Sequence, residues 1–200
     1  MLALLAVGAT LVAIDPAMPP VLQPFDDAWR RAALTWPGWT HRLGRGFEAV
    51  GAGVVMVPLR IAVAVWLVVR RRRWDLAAWL LGWALADVVS AILKPGLGRE
   101  RPTAIDPERP FTSFPSAHAK TAAQIAVGLV LVATDPRRRA SAWWALAIAW
   151  IAAMAVSRTV VDHHYASDVV AGSLLGAGAA LLAASAVQLA RDRRQAARDS

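Results

Sequence analysis

Long apolar runs alternate with short polar segments along this chain. The runs occupy residues 2–14, 47–69, 75–93, 118–134, 141–156 and 167–190. A helix needs ~20 apolar residues to cross ~30 Å of hydrocarbon, and most of these runs approach that length. In lipid a backbone must satisfy its own hydrogen bonds. The pattern therefore predicts an all-α, polytopic membrane protein with six transmembrane helices in one bundle. The first run is short for a span. It is apolar from residue 2 and has neither a basic n-region nor a clean small-x-small cleavage site, so it reads as a retained helix. Residues 15–46 are polar and aromatic, with five prolines and with Trp29, Trp36 and Trp39. They read as an interfacial connection with a short amphipathic helix over 25–34. The chain thus divides into an N-terminal helix and connection (1–46), a membrane core (47–190) and a basic cytoplasmic tail (191–200).

Composition agrees with this division. Hydrophobic residues make up 57% of the chain, charged residues only 18%, and the mean hydropathy is +0.43. There is no cysteine, which excludes disulfides, thiolate chemistry and cysteine-based zinc sites. A net charge of +8 would suit nucleic acid, but the basic residues cluster in loops between apolar runs. No nucleic-acid partner is expected.

Orientation follows from the same clusters. With six spans, the groups at 70–73, 137–139 and 191–198 share one side and carry eleven basic residues. The other side carries nine: Arg30, Arg31, Arg42, Arg45, Lys94, Arg99, Arg101, Arg109 and Arg158. Several of the nine suit chemistry better than topology, so the dense clusters are placed in the cytoplasm with both termini. The loops at 94–117 and 157–166 then face outward. Two ionisable residues, Arg60 and Asp87, fall ~14 Å and ~18 Å from the cytoplasmic ends of sequential spans, at 1.5 Å per residue. They can pair with each other. Alternatively Arg60 snorkels and Asp87 faces a polar cavity below Lys94.

Three polar segments carry candidate chemistry. The first reads Lys94-Pro-Gly-Leu-Gly-Arg99-Glu100-Arg101-Pro102. Its cations suit an oxyanion, and its glycines let the backbone approach closely. In the second, Phe114-Pro115-Ser116-Ala117-His118, Ser116 is an N-cap candidate. A hydroxyl and free amides at a helix N-terminus form an anion site, with His118 in the first turn. Lys120 either reaches the same anion or snorkels outward. The third segment, 157–168, holds Arg158, Asp162, His163, His164 and Asp168. His164 and Asp168 share a helical face, where the carboxylate can fix the imidazole tautomer. Four residues beyond His163 stands Ser167, a poorer orienting partner, so His164 is favoured as the active one. Asp162 reads as a loop or cap residue. Taken singly, each segment also reads as something ordinary: a lipid-headgroup cluster, a capped helix, a satisfied buried pair. Taken together, all three lie on one predicted side.

Lys94-x6-Arg101-Pro102, Pro115-Ser116-Ala117-His118 and Ser157-Arg158-x5-His164-x3-Asp168 resemble the three-part motif of the type 2 phosphatidic acid phosphatase superfamily. The family pattern is Lys-x6-Arg-Pro, Pro-Ser-Gly-His and Ser-Arg-x5-His-x3-Asp, and the similarity covers roughly residues 45–190. One departure is Ala117 in place of glycine; alanine keeps the backbone amide. The resemblance implies a phosphatase core acting at the extracytoplasmic boundary of the cell membrane. His164 would be the nucleophile that forms a phosphohistidine, Asp168 its orienting carboxylate and His118 the acid for the leaving oxygen. Lys94, Arg101, Ser116, Ala117 and Arg158 would bind phosphate. No cofactor and no metal are implied. The substrate would be a lipid phosphate or a prenyl diphosphate, undecaprenyl diphosphate among them, and the alanine- and arginine-rich composition suggests a bacterium. The alternatives are a phosphotransferase of the same superfamily, or a non-catalytic lipid-binding membrane protein. A vanadium haloperoxidase is a poorer fit, since those relatives are soluble and longer.

Overall fold

The computed structural model describes residues 22–103, 113–133 and 141–200. The predicted first span, 2–14, lies outside the described residues. Within them the fold is all-α: α1 (Gln23–Leu34), α2 (Gly38–Gly51), α3 (Gly53–Val69), α4 (Arg73–Leu97), α5 (Ala117–Ala133), α6 (Ser141–Val160) and α7 (Ala166–Asp199). Helices α4, α6 and α7 are each long and apolar enough to cross a bilayer. Helices α2 and α3 pass the same test as a bent pair, and α5 is apolar but shorter, with 17 residues. The outer faces of these helices are apolar, with Val54 82%, Val69 72%, Ile92 66% and Ile148 63% exposed. Water would penalise such a surface, whereas lipid tails match it. The bundle is a multi-pass membrane protein.

Helix α5 lies at the centre, packed against α7, α6, α4, α3 and α2. It is lined with small residues, including Ala119, Ala122, Ala123, Ala126 and Gly128, most of them buried. Opposite it, Gly172 and Gly176 of α7 bring the two backbones into contact at the N-terminal end of α5. This close approach places the α5 N-terminus beside the first turns of α7.

Helix α1 matches the expected amphipathic helix. Pro24 opens it, where its missing N–H costs nothing. Phe25 and Leu34 stay exposed while Asp26 and Ala33 are buried.

The other helix boundaries correct the sequence reading in four places. The single span expected over 47–69 is broken: Ala52 is extended (ψ 149°) and α2 meets α3 at a 48° bend. Glycines on both sides of Ala52 weaken the helix there, and Gly51 leaves room for the His118 ring and Met154. Helix α4, expected over 75–93, runs on through Lys94 and Pro95 to a left-handed Gly98 (φ 53°), whose N–H bonds Lys94 O at 3.2 Å. Helix α6, expected to end at 156, continues to Val160, so Arg158 projects from a helix instead of a loop. The hydroxyls of Ser157 and Thr159 bond back to Met154 O and Val156 O within this last turn. Helix α7 extends through the basic tail expected to follow residue 190. At 34 residues it spans ~51 Å, well beyond the hydrocarbon layer. Its Arg194 lies 5.5 Å from the Trp74 ring, which brings the C-terminal end beside the 70–73 arginine corner.

Arg60 and Asp87 form the ion pair, at 3.1 Å. Arg60 is only 3% exposed, so it does not snorkel. Asp87 also accepts from Lys120 Nζ at 2.6 Å and Trp83 Nε1 at 2.7 Å, and Arg60 Nε donates to Gln124 Oε1 at 3.0 Å. Lys120 therefore neither reaches outward nor points at the expected anion; it closes a charge network among α3, α4 and α5. An apolar groove of about 700 Å³ opens between α3, α5 and α6, lined by Met56, Leu59, Leu129, Trp143 and Trp150. It contains none of the predicted site residues.

Candidate active site

The site assembles at one end of the bundle from the end of α4, the N-terminus of α5 and the junction between α6 and α7. Lys94 comes from the last turn of α4 and Arg101 from the segment after it. Ser116, Ala117 and His118 open α5. Arg158 closes α6, and His163 and His164 occupy the short connection to α7, where Asp168 is the third residue. The three sequence segments, up to 74 positions apart, share this one region.

His164 is buried (4% exposed) and stands between an acid and a base. Its Nδ1 faces Asp168 Oδ2 at 3.5 Å, an ion-pair approach without a formed hydrogen bond, and its Nε2 lies 3.3 Å from Arg101 Nη1. A guanidinium only donates, so Nε2 must present its lone pair, and Nδ1 carries the proton on the Asp168 side. Burial pushes the His164 pKa down to about 4, against the pull of Asp168 in the other direction. The ring is therefore neutral near pH 7, with an unprotonated Nε2 beside the Arg101 guanidinium.

Asp168 is fully buried and has other partners. Its Oδ2 also accepts from the Tyr165 N–H at 3.0 Å and from the Ser113 hydroxyl, and its Oδ1 accepts from Arg99 Nη1 at 2.7 Å. The Ser116 N–H donates to the Asp168 backbone carbonyl at 3.0 Å, which ties the α5 N-terminus directly to α7.

His163 has its own surroundings. Arg158 Nη2 lies 2.6 Å from its Nδ1, and Glu48 Oε1 of α2 lies 3.0 Å from the same atom. Arg158 also approaches Glu48 at 3.2 Å. Burial lowers the pKa of His163, with the Arg158 charge adding to the effect. Ser167 does not serve His163. Its hydroxyl and amide bond Asp26 instead.

Several polar atoms here are buried without a protein partner: Ser116 Oγ, His118 Nε2 and Arg158 Nε. The Ser116 hydroxyl therefore makes no N-cap bond, contrary to its expected capping role, although it stands immediately before α5. These are the donors and proton carriers that a tetrahedral oxyanion would take up. Lys94, Arg101, Ser116, Ala117, His118, Arg158, His164 and Asp168 come to this region, whereas the ammonium of Lys120 turns away to Asp87. Four others complete it: Arg99, Asp26, Ser113 and Glu48. Arg99 stood in the first cation-rich segment with no separate role. Asp26 and Glu48 carried no local signal, since each meets its partners only through tertiary contact. Asp162, expected to be a loop residue, adopts a left-handed backbone (φ 59°) and binds Arg30 at 2.6 Å.

An apolar helical bundle that gathers cations around a carboxylate-oriented histidine at one end is a membrane protein with a polar site for a small charged group. The PAP2 superfamily model matches residues 75–192, more than half of the chain, and the chain belongs to that superfamily. It is 28% identical over 162 residues to phosphatidylglycerophosphatase B of Bacillus subtilis (strain 168), covering 78% of this chain and 79% of that protein. Among solved structures it resembles a transmembrane PAP2-type phosphatidylglycerolphosphate phosphatase from Bacillus subtilis. That likeness has a TM-score of 0.73 and 24% identity, over 90% of this chain and 92% of that one. It also resembles Aquifex aeolicus LpxE, with a TM-score of 0.62 and 20% identity, over 78% of this chain and 92% of that one. The two structural likenesses speak to the fold.

Proposed function

We propose that this protein is an integral membrane phosphatase that releases phosphate from a lipid phosphate or prenyl diphosphate through a phosphohistidine on His164. The observation that carries the reading is the double contact of His164: a carboxylate behind Nδ1 and the Arg101 guanidinium beside Nε2. The phosphatidylglycerophosphatase relative supports a glycerophospholipid phosphate as the first substrate to test.

In the first step the Nε2 lone pair attacks phosphorus, and the bond to the leaving oxygen breaks. His118 gives that oxygen a proton and Asp168 holds the imidazolium that forms. In the second step His118 takes a proton from water as its oxygen attacks phosphorus. The N–P bond breaks, inorganic phosphate leaves and His164 is neutral again. Lys94, Arg101, Arg158, the Ser116 hydroxyl and the Ala117 amide surround the phosphoryl oxygens, so fixed cations supply the charge stabilisation that a metal provides elsewhere. Six spans would put this site at the outer membrane boundary, where the lipid tail stays in hydrocarbon while the headgroup enters the cation pocket.

The test is phosphate release from phosphatidylglycerol phosphate, phosphatidic acid and a prenyl diphosphate, with His164→Ala beside the wild type. Acid-labile, base-stable labelling of the wild-type chain by ³²P substrate is expected, with none in His164→Ala. Equal release by both proteins would refute the nucleophile assignment.

A further inference from the structure

Three polar links fasten α1 to the segment that carries the two adjacent histidines. Asp26 reaches Ser167 and Arg99, Trp29 Nε1 donates to Thr159 Oγ1 at 2.9 Å, and Arg30 grips both oxygens of Asp162 at 2.6 and 2.7 Å. The grip holds Asp162 in a left-handed backbone conformation, which aspartate adopts more readily than most residues. Its other partner is the Thr103 hydroxyl. The outer surface of α1 remains apolar at Phe25 and Leu34. An interfacial helix is thereby riveted to the histidine connection from outside.

The innermost rivet reaches the proposed nucleophile. Arg99 stands between two fully buried carboxylates. Its Nη2 donates to Asp26 Oδ2 at 2.7 Å and its Nη1 to Asp168 Oδ1 at 2.7 Å. Gln23 Oε1 and the Ser167 hydroxyl take further bonds from the same two nitrogens, and the Tyr165 ring lies 4.3 Å from Arg99 Cζ. Both terminal nitrogens of Arg99 are thus committed to protein groups.

The sharing has a geometric consequence. An arginine alone with a carboxylate prefers to take both oxygens in a fork. Here Asp26 occupies Nη2, so Arg99 holds Asp168 through Oδ1 only. Oδ2 is left to face His164, with Ser113 and the Tyr165 amide fixing its direction. Without Asp26, Nη2 keeps only the longer bond to Gln23 at 3.1 Å and can turn its other N–H toward Oδ2, drawing it from the imidazole.

We infer that Asp26 and Arg99 are positioning residues for phosphoryl transfer: Asp26 divides the Arg99 guanidinium so that Asp168 orients His164, and α1 braces the loop from the membrane surface. This rests on the reading of His164 as nucleophile. It also gives the tryptophan-rich N-terminal connection a mechanical role in catalysis.

The experiment compares two inhibitors on the full chain in detergent–lipid micelles. Inorganic phosphate needs only the cation pocket, whereas orthovanadate also gains a bond to an aligned nucleophilic nitrogen. Asp26→Asn and Arg99→Gln should leave the phosphate inhibition constant within about twofold. They should weaken vanadate and lower kcat by about tenfold or more, as expected for a misaimed nucleophile. An unchanged vanadate-to-phosphate ratio in both variants would overturn the proposal. Should either variant lose both inhibitors through misfolding, Ser167→Ala removes one hydroxyl from the same bridge. A ratio change of about threefold there supports positioning, and no change refutes it. His164→Ala separates the two levels: vanadate binding equal to wild type in that variant would sink the nucleophile reading itself, whatever Asp26→Asn does.

Discussion

Gly172 lies one turn beyond Asp168 on α7 and faces the backbone that opens α5. A Cβ at this position would stand 2.5 Å from Ser116 O, 3.2 Å from Lys120 N and 3.3 Å from the Ser116 carbonyl carbon. Ordinary contact begins near 3.4 Å. All three neighbours are backbone atoms, so no rotamer change relieves the overlap. In Gly172→Ala the helices must part by roughly 0.5–1 Å, and overpacking of this kind costs about 1–3 kcal/mol. The same displacement stretches the bond from the Ser116 N–H to the Asp168 carbonyl, now 3.0 Å. It also moves Ser116 and His118 relative to His164. A shift approaching 1 Å in reacting groups lowers turnover by up to ~10²-fold. The expected result for Gly172→Ala is a kcat reduced about 10–100-fold and a lowered unfolding temperature by tryptophan fluorescence. Gly46→Ala, where a Cβ meets nothing within 4 Å, is the matched control. If Gly172→Ala turned over within a factor of two of Gly46→Ala, helix spacing would not set the site geometry, and the reasoning would be refuted.

Other outcomes follow from the same contacts. Asp87→Asn should destabilise the bundle by about 1–3 kcal/mol: Arg60 stays buried with weakened pairing, but Asp87 is 43% exposed, so solvent screens part of the loss. In a double-mutant cycle with Arg60→Met the two losses should couple by about 1–3 kcal/mol, and strict additivity would count against the pair. For pH, burial holds folded His164 at about 4, below its ordinary 6.5. Between those values the unfolded chain takes a proton that the folded chain refuses. Stability should therefore fall as pH drops from 6.5 and level off below about 4. His164→Gln should flatten that slope in thermal melts, and an identical slope would contradict the burial argument. His118→Ala should slow hydrolysis of a lipid phosphate by about 10²–10⁴-fold. A substrate with a nitrophenyl leaving group needs no acid in the first step, so its single-turnover burst of nitrophenolate should be largely recovered in His118→Ala while the water-dependent second step stays slow, and a burst slowed as much as lipid hydrolysis would remove His118 from the acid role. EDTA should leave turnover unchanged. No cluster of three or more metal-ligating His, Asp or Glu side chains occurs among the described residues. Loss of activity on chelation, restored by magnesium, would overturn metal independence.

Much of the site could be read along the chain because its parts obey local geometry. The four-residue spacing kept His164 and Asp168 neighbours, but not on the shared helical face expected: α7 begins only at Ala166, and the turn into it brings the ring of His164 to 3.5 Å from the carboxylate. The apolar runs likewise identified α4, α5, α6 and α7, since lipid demands length and apolarity of each helix separately. Helix ends were less legible. Lys94 and Arg158 sit inside helices because α4 runs on to its cap at Gly98 and α6 runs on to Val160. A loop and a last helical turn have the same composition here.

Partnerships between distant charges were decided only by the fold. Lys120 serves Asp87 and not an outward anion, Arg158 meets Glu48, and Arg99 divides itself between Asp26 and Asp168. A buried charge must be paired, but its partner is whichever residue the neighbouring helix places within reach. That choice depends on how closely α5 and α7 approach at Gly172 and Gly176, and on where the chain bends at Ala52. By itself the sequence singled out the three polar segments that the fold gathers at one end of the bundle. Tertiary structure decided which of them touch, because helix contact distances and bend angles arise from packing between segments far apart in the chain.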